Sequence, residues 1–267
     1  MRTVVRYPPL LGAVLLVLGA APGPAAAAGE EAPSPQQIIA ATDRVRNPSE
    51  PFRLTVRLTE YIGGSERNHD QLVVFSKEDP RTHQFRNLIQ YVEPPRDAGK
   101  KVLLDGQSLW FFDPASNISI RISAQQRLIG QAAIGDVLTV NLAVDYTATL
   151  TGTETIKDAA RTDRSCWHLD LKAANDQAVY NRVEYWVEQG SYYPIKGKFY
   201  SDSGRLLKIL YYRSFAPQLG SVRPTEAVII DAVDSSLATA AAFGDYHNAE
   251  IPDAWFQRDY LPRLQVK

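Results

Sequence analysis

Phe52-Arg53-Leu54-Thr55-Val56-Arg57-Leu58-Thr59 decides the architecture of this chain. Apolar residues alternate strictly with Arg and Thr. That period of two sets one face of an extended strand against a core and the other toward water. Working outward, Gly63-Gly64 turns the chain into a returning strand over residues 70–76, and Glu78-Asp79-Pro80 leads to another over 81–92. Asp105-Gly106 joins strands at 101–104 and 108–112, a hairpin signal, and 118–122 extends the series. Further strands are expected over 146–151, 165–172, 180–188, 194–201, 206–215 and 225–234.

Three segments depart from this period. Ser34-Pro35 is a capping residue followed by a first-turn proline, and Ile38, Ile39, Thr42 and Val45 mark one face of a helix over 36–45 that Asn47-Pro48 ends. Residues 124–144 carry Leu128, Ile129, Ile134, Val137, Leu138 and Leu142 with Gly130 and Gly135 between them, which reads as a short helical or irregular insertion. Residues 235–264 read as helical in pieces. About eleven strands in meander order, with one helix and one apolar insertion, imply a mainly β fold: a single curled antiparallel sheet with a helical lid.

The N-terminus has the order of an export signal. Arg2 and Arg6 precede an apolar run from Leu10 to Ala20, then Pro22-Gly23-Pro24 and a small-residue stretch to Ala28. The apolar run is about 11 residues, short of the roughly 20 that span a bilayer as a helix. Residues 1–28 are therefore expected to be a signal peptide cleaved near Ala28, and residues 29–267 one exported domain. Without Arg2 and Arg6, 27 of the 29 basic residues face 30 acidic ones, a formal charge of −3. Such weak acidity gives no reason to expect nucleic acid as a partner. The single cysteine, Cys166, can form no internal disulfide and lies too far from the cut to carry a lipid there.

The residues that would carry chemistry do not converge. The histidines His69, His83, His168 and His247 form no helical metal pair, and neither a G-x-S-x-G elbow nor a Gly-rich phosphate loop is present. No catalytic residue, metal or cofactor is expected. Cys166 and His168 share a strand face, which fits a packed thiol better than a nucleophile in a polar cleft. Aromatic strand surface is abundant instead. Trp110 and Phe112 share one face of their strand, with Leu109 and Phe111 on the other. Trp167 and Leu169, Tyr185, and Ile209 and Tyr211 lie on the apolar faces of theirs. Such faces either pack as core or, where a curled sheet is too thinly covered, line a hollow for an apolar ligand.

Asp105-Gly106-Gln107-Ser108-Leu109-Trp110-Phe111-Phe112-Asp113-Pro114 resembles the D-G-x-x-L-W-x-Y-x-P segment of the LolA family of outer membrane lipoprotein-sorting proteins. The resemblance continues through Arg127-Leu128-Ile129-Gly130-Gln131, Gly135-Asp136-Val137-Leu138, Asp145-Tyr146 and Gly152-x-Glu154, and covers about residues 34–260. It implies a half-open β-barrel with a helical lid over a hydrophobic cavity in a free periplasmic carrier. The implied cargo is a lipoprotein or another lipid, passed from an inner-membrane exporter (some relatives accompany RND-type, MmpL-like exporters) to an outer-membrane acceptor. The expected cavity residues are Trp110, Phe112, Leu128, Ile129, Val137, Leu138, Trp167, Leu169, Tyr185, Ile209 and Tyr211. The family's lid-contacting arginine precedes a proline; here the nearest match, Arg81, follows Pro80, and it is the candidate for that role. The other reading on the same fold is an envelope sensor that binds a partner protein without transport.

Overall fold

The alternation at residues 52–58 builds strand β1 (Phe52–Ile62), whose Phe52, Leu54, Val56 and Leu58 are all buried. The computed structural model describes residues 32–106 and 108–264, besides positions 1 and 3, so the proposed export signal and its cleavage site lie outside the described residues. A meander follows: β2 (Ser65–Glu78), β3 (Phe85–Glu93), β4 (Lys101–Leu104), β5 (Leu109–Asp113) and β6 (Ile118–Ile122). The apolar insertion comes next. It contains a hairpin of β7 (Arg127–Ile129) and β8 (Ala132–Ala133), a 3-10 turn over Ile134–Asp136 and a single helical turn, α2 (Leu142–Asp145). A second meander then runs through β9 (Tyr146–Lys157), β10 (Asp163–Ala173), β11 (Arg182–Glu188), β12 (Pro194–Tyr200), β13 (Leu206–Gln218), β14 (Ser221–Asp231) and β15 (Leu237–Asn248).

All but β7 and β8 form one antiparallel sheet of thirteen strands, in the order β6-β5-β4-β3-β2-β1-β15-β14-β13-β12-β11-β10-β9. The count exceeds the roughly eleven expected, and residues 237–248 form a strand where helix was anticipated. Leu237-Ala238-Thr239-Ala240-Ala241-Ala242 carries strong helix formers. Pairing with both β1 and β14 overrides that local preference. β15 is also the seam between the two meanders: β1 pairs with it there, and among the described residues no other strand pairing joins the halves. The sheet leaves β6 and β9 as its two edges.

Side chains alternate between an inner face and an outer face. The inner face carries the main core, including Leu54, Val56, Leu72, Ile89, Leu169 and Tyr185. The outer face of β2–β5 holds Phe75, Leu88, Leu103 and Phe112, and Ile251, Phe256, Leu261 and Leu264 of the C-terminal segment cover it. Asp253 anchors that segment through Lys77 and Arg86, each at 2.8 Å.

Helix α1 (Pro35–Arg46) lies on the inner side. Ser34 caps it, and a reciprocal pair of bonds between Ser34 and Gln37 closes its first turn. Ile38, Ile39, Thr42 and Asp43 are the buried positions. Polar bonds fix the helix to the end of the insertion: Gln36 Nε2 donates to Ala143 O at 2.7 Å, Asn47 Nδ2 donates to Val140 O at 2.9 Å, and Ala143 N donates to Asp43 Oδ2 at 2.8 Å. Arg223 Nη1 donates to Arg44 O and Val45 O, placing a cation at the negative end of the helix dipole.

Burial pushes the Asp43 carboxyl from its ordinary 3.8 up to about 6, against the lowering effect of Arg46 at 3.1 Å. Between those values the folded chain holds a proton that the unfolded chain has released, so this residue's contribution to stability is lost as pH rises through the window. Chemical denaturation of the wild type and Asp43→Asn is therefore expected to diverge with pH. On going from pH about 4.5 to about 7.5 the wild type loses about 2 kcal/mol relative to the variant. An unchanged difference at the two pH values would contradict this account of Asp43.

Candidate functional site

The inner face of the sheet is too broad for one helix to cover. α1 contacts β9, β11 and β14, while the β7–β8 hairpin contacts β1 and β2. Insertion residues Ile129, Ile134, Val137 and Leu138 complete the core as buried side chains, with Leu128 half-buried beside them. Glycines permit the close seating. Gly130 has φ +52° and lies where a Cβ would run into Thr239 Oγ1, and a Cβ on Gly135 would meet Val179. Gln131 N also donates to Thr239 Oγ1 at 2.8 Å.

Between α1, the insertion and strands β1, β13, β14 and β15 a cavity of about 90 Å³ remains, walled by Phe52, Leu54, Val137, Leu138, Leu210 and Phe243. Sites for small molecules commonly occupy about 300–1,000 Å³. Among the described residues, this part of the inner space is thus nearly filled by the chain's own side chains. A larger polar opening of about 620 Å³ lies where the two ends of the sheet approach, bounded by Leu109 and Ile122 on one side and Ala173, Asn175 and Val179 on the other.

The insertion is fastened unevenly. Its later part has buried polar clamps. Asn87 Oδ1 accepts from Thr139 N at 3.0 Å, Asn87 Nδ2 donates to Thr139 O at 2.9 Å, and Gln84 Oε1 accepts from Asn141 N at 2.7 Å. Its earlier part rests mainly on apolar contact, with the Gln131–Thr239 bond, a bond from Gln125 Nε2 to Val179 O at 2.9 Å and one buried ion pair. Asp136 of the 3-10 turn is bonded to Lys208 Nζ of β13, and Tyr180 Oη donates to its other oxygen at 2.8 Å. Tyr185 and Tyr212 pair their hydroxyls at 2.9 Å on the inner wall, and burial pushes the Tyr185 phenol well above its ordinary range.

Comparison with solved structures places this arrangement. A LolA superfamily protein from Nitrosomonas europaea superposes with a TM-score of 0.76 and 31% identity over 86% of this chain and 100% of its own. The chain belongs to the LolA superfamily. Two further superfamily-like folds align at lower identity. A DUF1329 family protein from Desulfovibrio piger has a TM-score of 0.72 and 18% identity over 86% of this chain and 100% of its own. A domain from Vibrio parahaemolyticus assigned to outer membrane lipoprotein sorting has a TM-score of 0.70 and 16% identity over 85% of this chain and 98% of its own. A family model described as "Uncharacterized protein" matches residues 83–263. No curated protein sequence matches the chain. Among the described residues, no helix is long and apolar enough to cross a membrane.

Seven residues expected to line the LolA-type cavity meet on the inner side. Leu169, Tyr185, Ile129, Val137 and Leu138 are buried there, and Leu128 and Trp167 are half-buried against them, with Trp167 stacked on Tyr192 at 5.3 Å. Four take the outer side instead. Leu109 and Phe111 supply the inner face of β5, while Trp110 and Phe112 join the cluster under the C-terminal segment. The motif they belong to staples a hairpin: Asp105 accepts from Ser108 N at 2.9 Å and from Trp110 Nε1 at 3.2 Å, and Arg258 sits 5.0 Å over the Trp110 ring. Ile209 and Tyr211 are displaced by a bulge. β12 residues Tyr200 and Phe199 pair with Leu206 and Lys208, so Leu207 is an extra residue. The phase shift that follows turns Lys208, Leu210 and Tyr212 inward.

Arg81 does not reach the insertion. It is 86% exposed and folds back on Asp79 at 3.2 Å within its own turn. His83 O of the same turn instead accepts from Asn141 Nδ2 at 2.6 Å. Arg46, on α1, is the arginine that borders the inner cavity. Sequence reading missed it and also the Asp136–Lys208–Tyr180 cluster, although a lone Lys within Leu206-Leu207-Lys208-Ile209-Leu210 was a signal. Cys166 packs with Trp186 and Ile195 on the outer face, where burial pushes its thiol up to about 12, disfavouring the nucleophilic thiolate.

The seating of the hairpin on β15 can be tested at Gly130. Gly130→Ala adds a Cβ at positive φ and against Thr239, which should cost about 1–3 kcal/mol. It should also raise binding of an apolar fluorescent dye. Unchanged stability and dye binding would mean that the hairpin does not depend on this close approach.

Proposed function

We propose that the chain is a periplasmic carrier that takes the acyl chains of a lipoprotein or lipid into its inner hollow and moves them between envelope membranes. The observation that carries this reading is the near-complete filling of an apolar sheet face by a separable segment, residues 123–138. A permanent core would need no such segment to cross an open edge. A carrier needs an apolar space that can close when empty. Membership of the LolA superfamily and the likeness to a lipoprotein-sorting domain support the same reading.

The energetics are compatible. Each buried CH₂ is worth about 0.8 kcal/mol, so a saturated chain of about 16 carbons faces a barrier on the order of 12 kcal/mol to crossing water alone. Withdrawal of the insertion exposes the inner walls to the chain, and each insertion side chain gives up its contact as the ligand gains one. Donor and acceptor are, on this reading, an inner-membrane exporter of the RND (MmpL-like) kind and an outer-membrane acceptor. The N-terminal signal would supply the route to the periplasm.

Purified from a bacterial envelope extract, the protein should carry acyl lipid detectable by mass spectrometry and should bind a fluorescent fatty-acyl probe. Leu138→Ala weakens the closed state and is expected to tighten probe binding on the order of tenfold. Trp110→Ala, on the outer face, should leave it unchanged. Absence of both co-purified lipid and probe binding would sink the carrier reading.

A further inference from the structure

Lys208 is an expensive residue to place on an apolar wall. It is 5% exposed, and its ammonium lies 4.9 Å from the Tyr180 ring centre and 5.9 Å from that of Phe199. Among the described residues, its one carboxylate partner is Asp136, whose side chain is 4% exposed. Asp136 does not belong to the wall. It sits on the 3-10 turn Ile134–Asp136 of the insertion, beside Val137 and Leu138, and it borders the inner cavity with them. The same displacement that empties the apolar space therefore withdraws the counter-charge of Lys208. A buried ammonium without a partner is strongly disfavoured, and a purely apolar ligand offers nothing to offset it.

We propose that Lys208 is the headgroup-recognition residue of the hollow: it exchanges Asp136 for the carboxylate or phosphate of an anionic amphiphile when the insertion swings out. The inference rests on the carrier reading and narrows its substrate class to acyl chains bearing a negative head. Tyr180 is placed to assist. Its hydroxyl now donates to Asp136 at 2.8 Å, and once Asp136 leaves it becomes a second donor for the incoming anion. The exchange conserves charge. One buried ion pair replaces another, so the ionic part of opening and closing is balanced only when the ligand is anionic. A neutral amphiphile with the same chain would leave Lys208 unpaired or hold the insertion partly in place.

The test uses the delipidated wild-type protein and three amphiphiles with the same hexadecanoyl chain, competing against a fluorescent acyl probe: the free fatty acid, the lysophosphatidic acid and the neutral monoacylglycerol. At least one anion should bind about tenfold or more tightly than the neutral compound, and the tighter of the two identifies the head as carboxylate or phosphate. In Lys208→Met the preference should collapse to within about twofold while the neutral compound still binds. Equal binding of all three by the wild type, or a preference that survives in a folded Lys208→Met, overturns the assignment of Lys208 and leaves the carrier reading intact. The wild-type comparison decides even if the variant does not fold. Failure of every amphiphile to bind the wild type overturns both.

Discussion

An antiparallel sheet that does not close on itself has an apolar face with nothing to pack against, and that constraint organises the molecule. The two edges of the sheet are β6 and β9, and the insertion is the stretch of chain that links them. The polypeptide thus crosses the gap where hydrogen bonding stops and, in crossing, fills the hollow. Leu54, Val56, Leu169 and Tyr185 supply the wall; Ile129, Ile134, Val137 and Leu138 supply the plug. The small residues of β15 belong to the same solution. Ala241 is buried and Thr239 receives Gln131 N, which leaves depth for the hairpin that bulkier side chains would occupy.

The polar bonds divide the insertion into a fixed part and a part held by complementarity. Thr139, Asn141 and Ala143 are bound to Asn87, Gln84 and Asp43 through buried or half-buried hydrogen bonds, each of which would leave an unsatisfied group if broken. Before residue 139, the fastening is mainly apolar, supplemented by the Asp136–Lys208 pair and by single bonds from Gln131 N to Thr239 and from Gln125 to Val179 O. Apolar contact can be replaced by any apolar surface of similar shape; a specific hydrogen bond to a backbone amide cannot. Bonds from the insertion's backbone amides to side chains elsewhere in the chain concentrate after residue 138, with Gln131 N the exception before it. On the proposed carrier reading, the more weakly tied part before residue 139 is the one that would yield to a ligand.

Much of this was legible in the sequence, and the errors have particular causes. The period of two at residues 52–58 and the Ser34-Pro35 cap gave β1 and α1 because local pattern and tertiary role agree there. β15 was hidden because its alanines favour helix in isolation and adopt a strand only between two partners. Trp110 and Phe112 misled because an aromatic face on a hairpin looks the same whether it faces a hollow or a covering tail. The tail comprises the sixteen positions 249–264 after the last strand, and no local signal connects it to β5. Ile209 and Tyr211 were misplaced by a single bulged residue, which inverts every side chain beyond it. Lys208 was passed over for the same reason: with the phase inverted, it reads as a solvent-facing lysine.

A carrier must hold its cargo without keeping it, and the composition of the plug bears on that requirement. Ile129, Ile134, Val137 and Leu138 each lose roughly 1.5–3 kcal/mol on moving from a buried to an exposed position, together about 6–12 kcal/mol. A saturated chain of about 16 carbons gains a comparable amount by taking their place. Neither state then dominates by apolar burial alone, and the choice between closed and loaded passes to terms of a few kcal/mol. On the proposed reading, the buried Asp136–Lys208 pair lies on the boundary that would move and would be one such term. Burial of the hydrocarbon would set whether any lipid can enter, and the charge left on the wall would set which one stays.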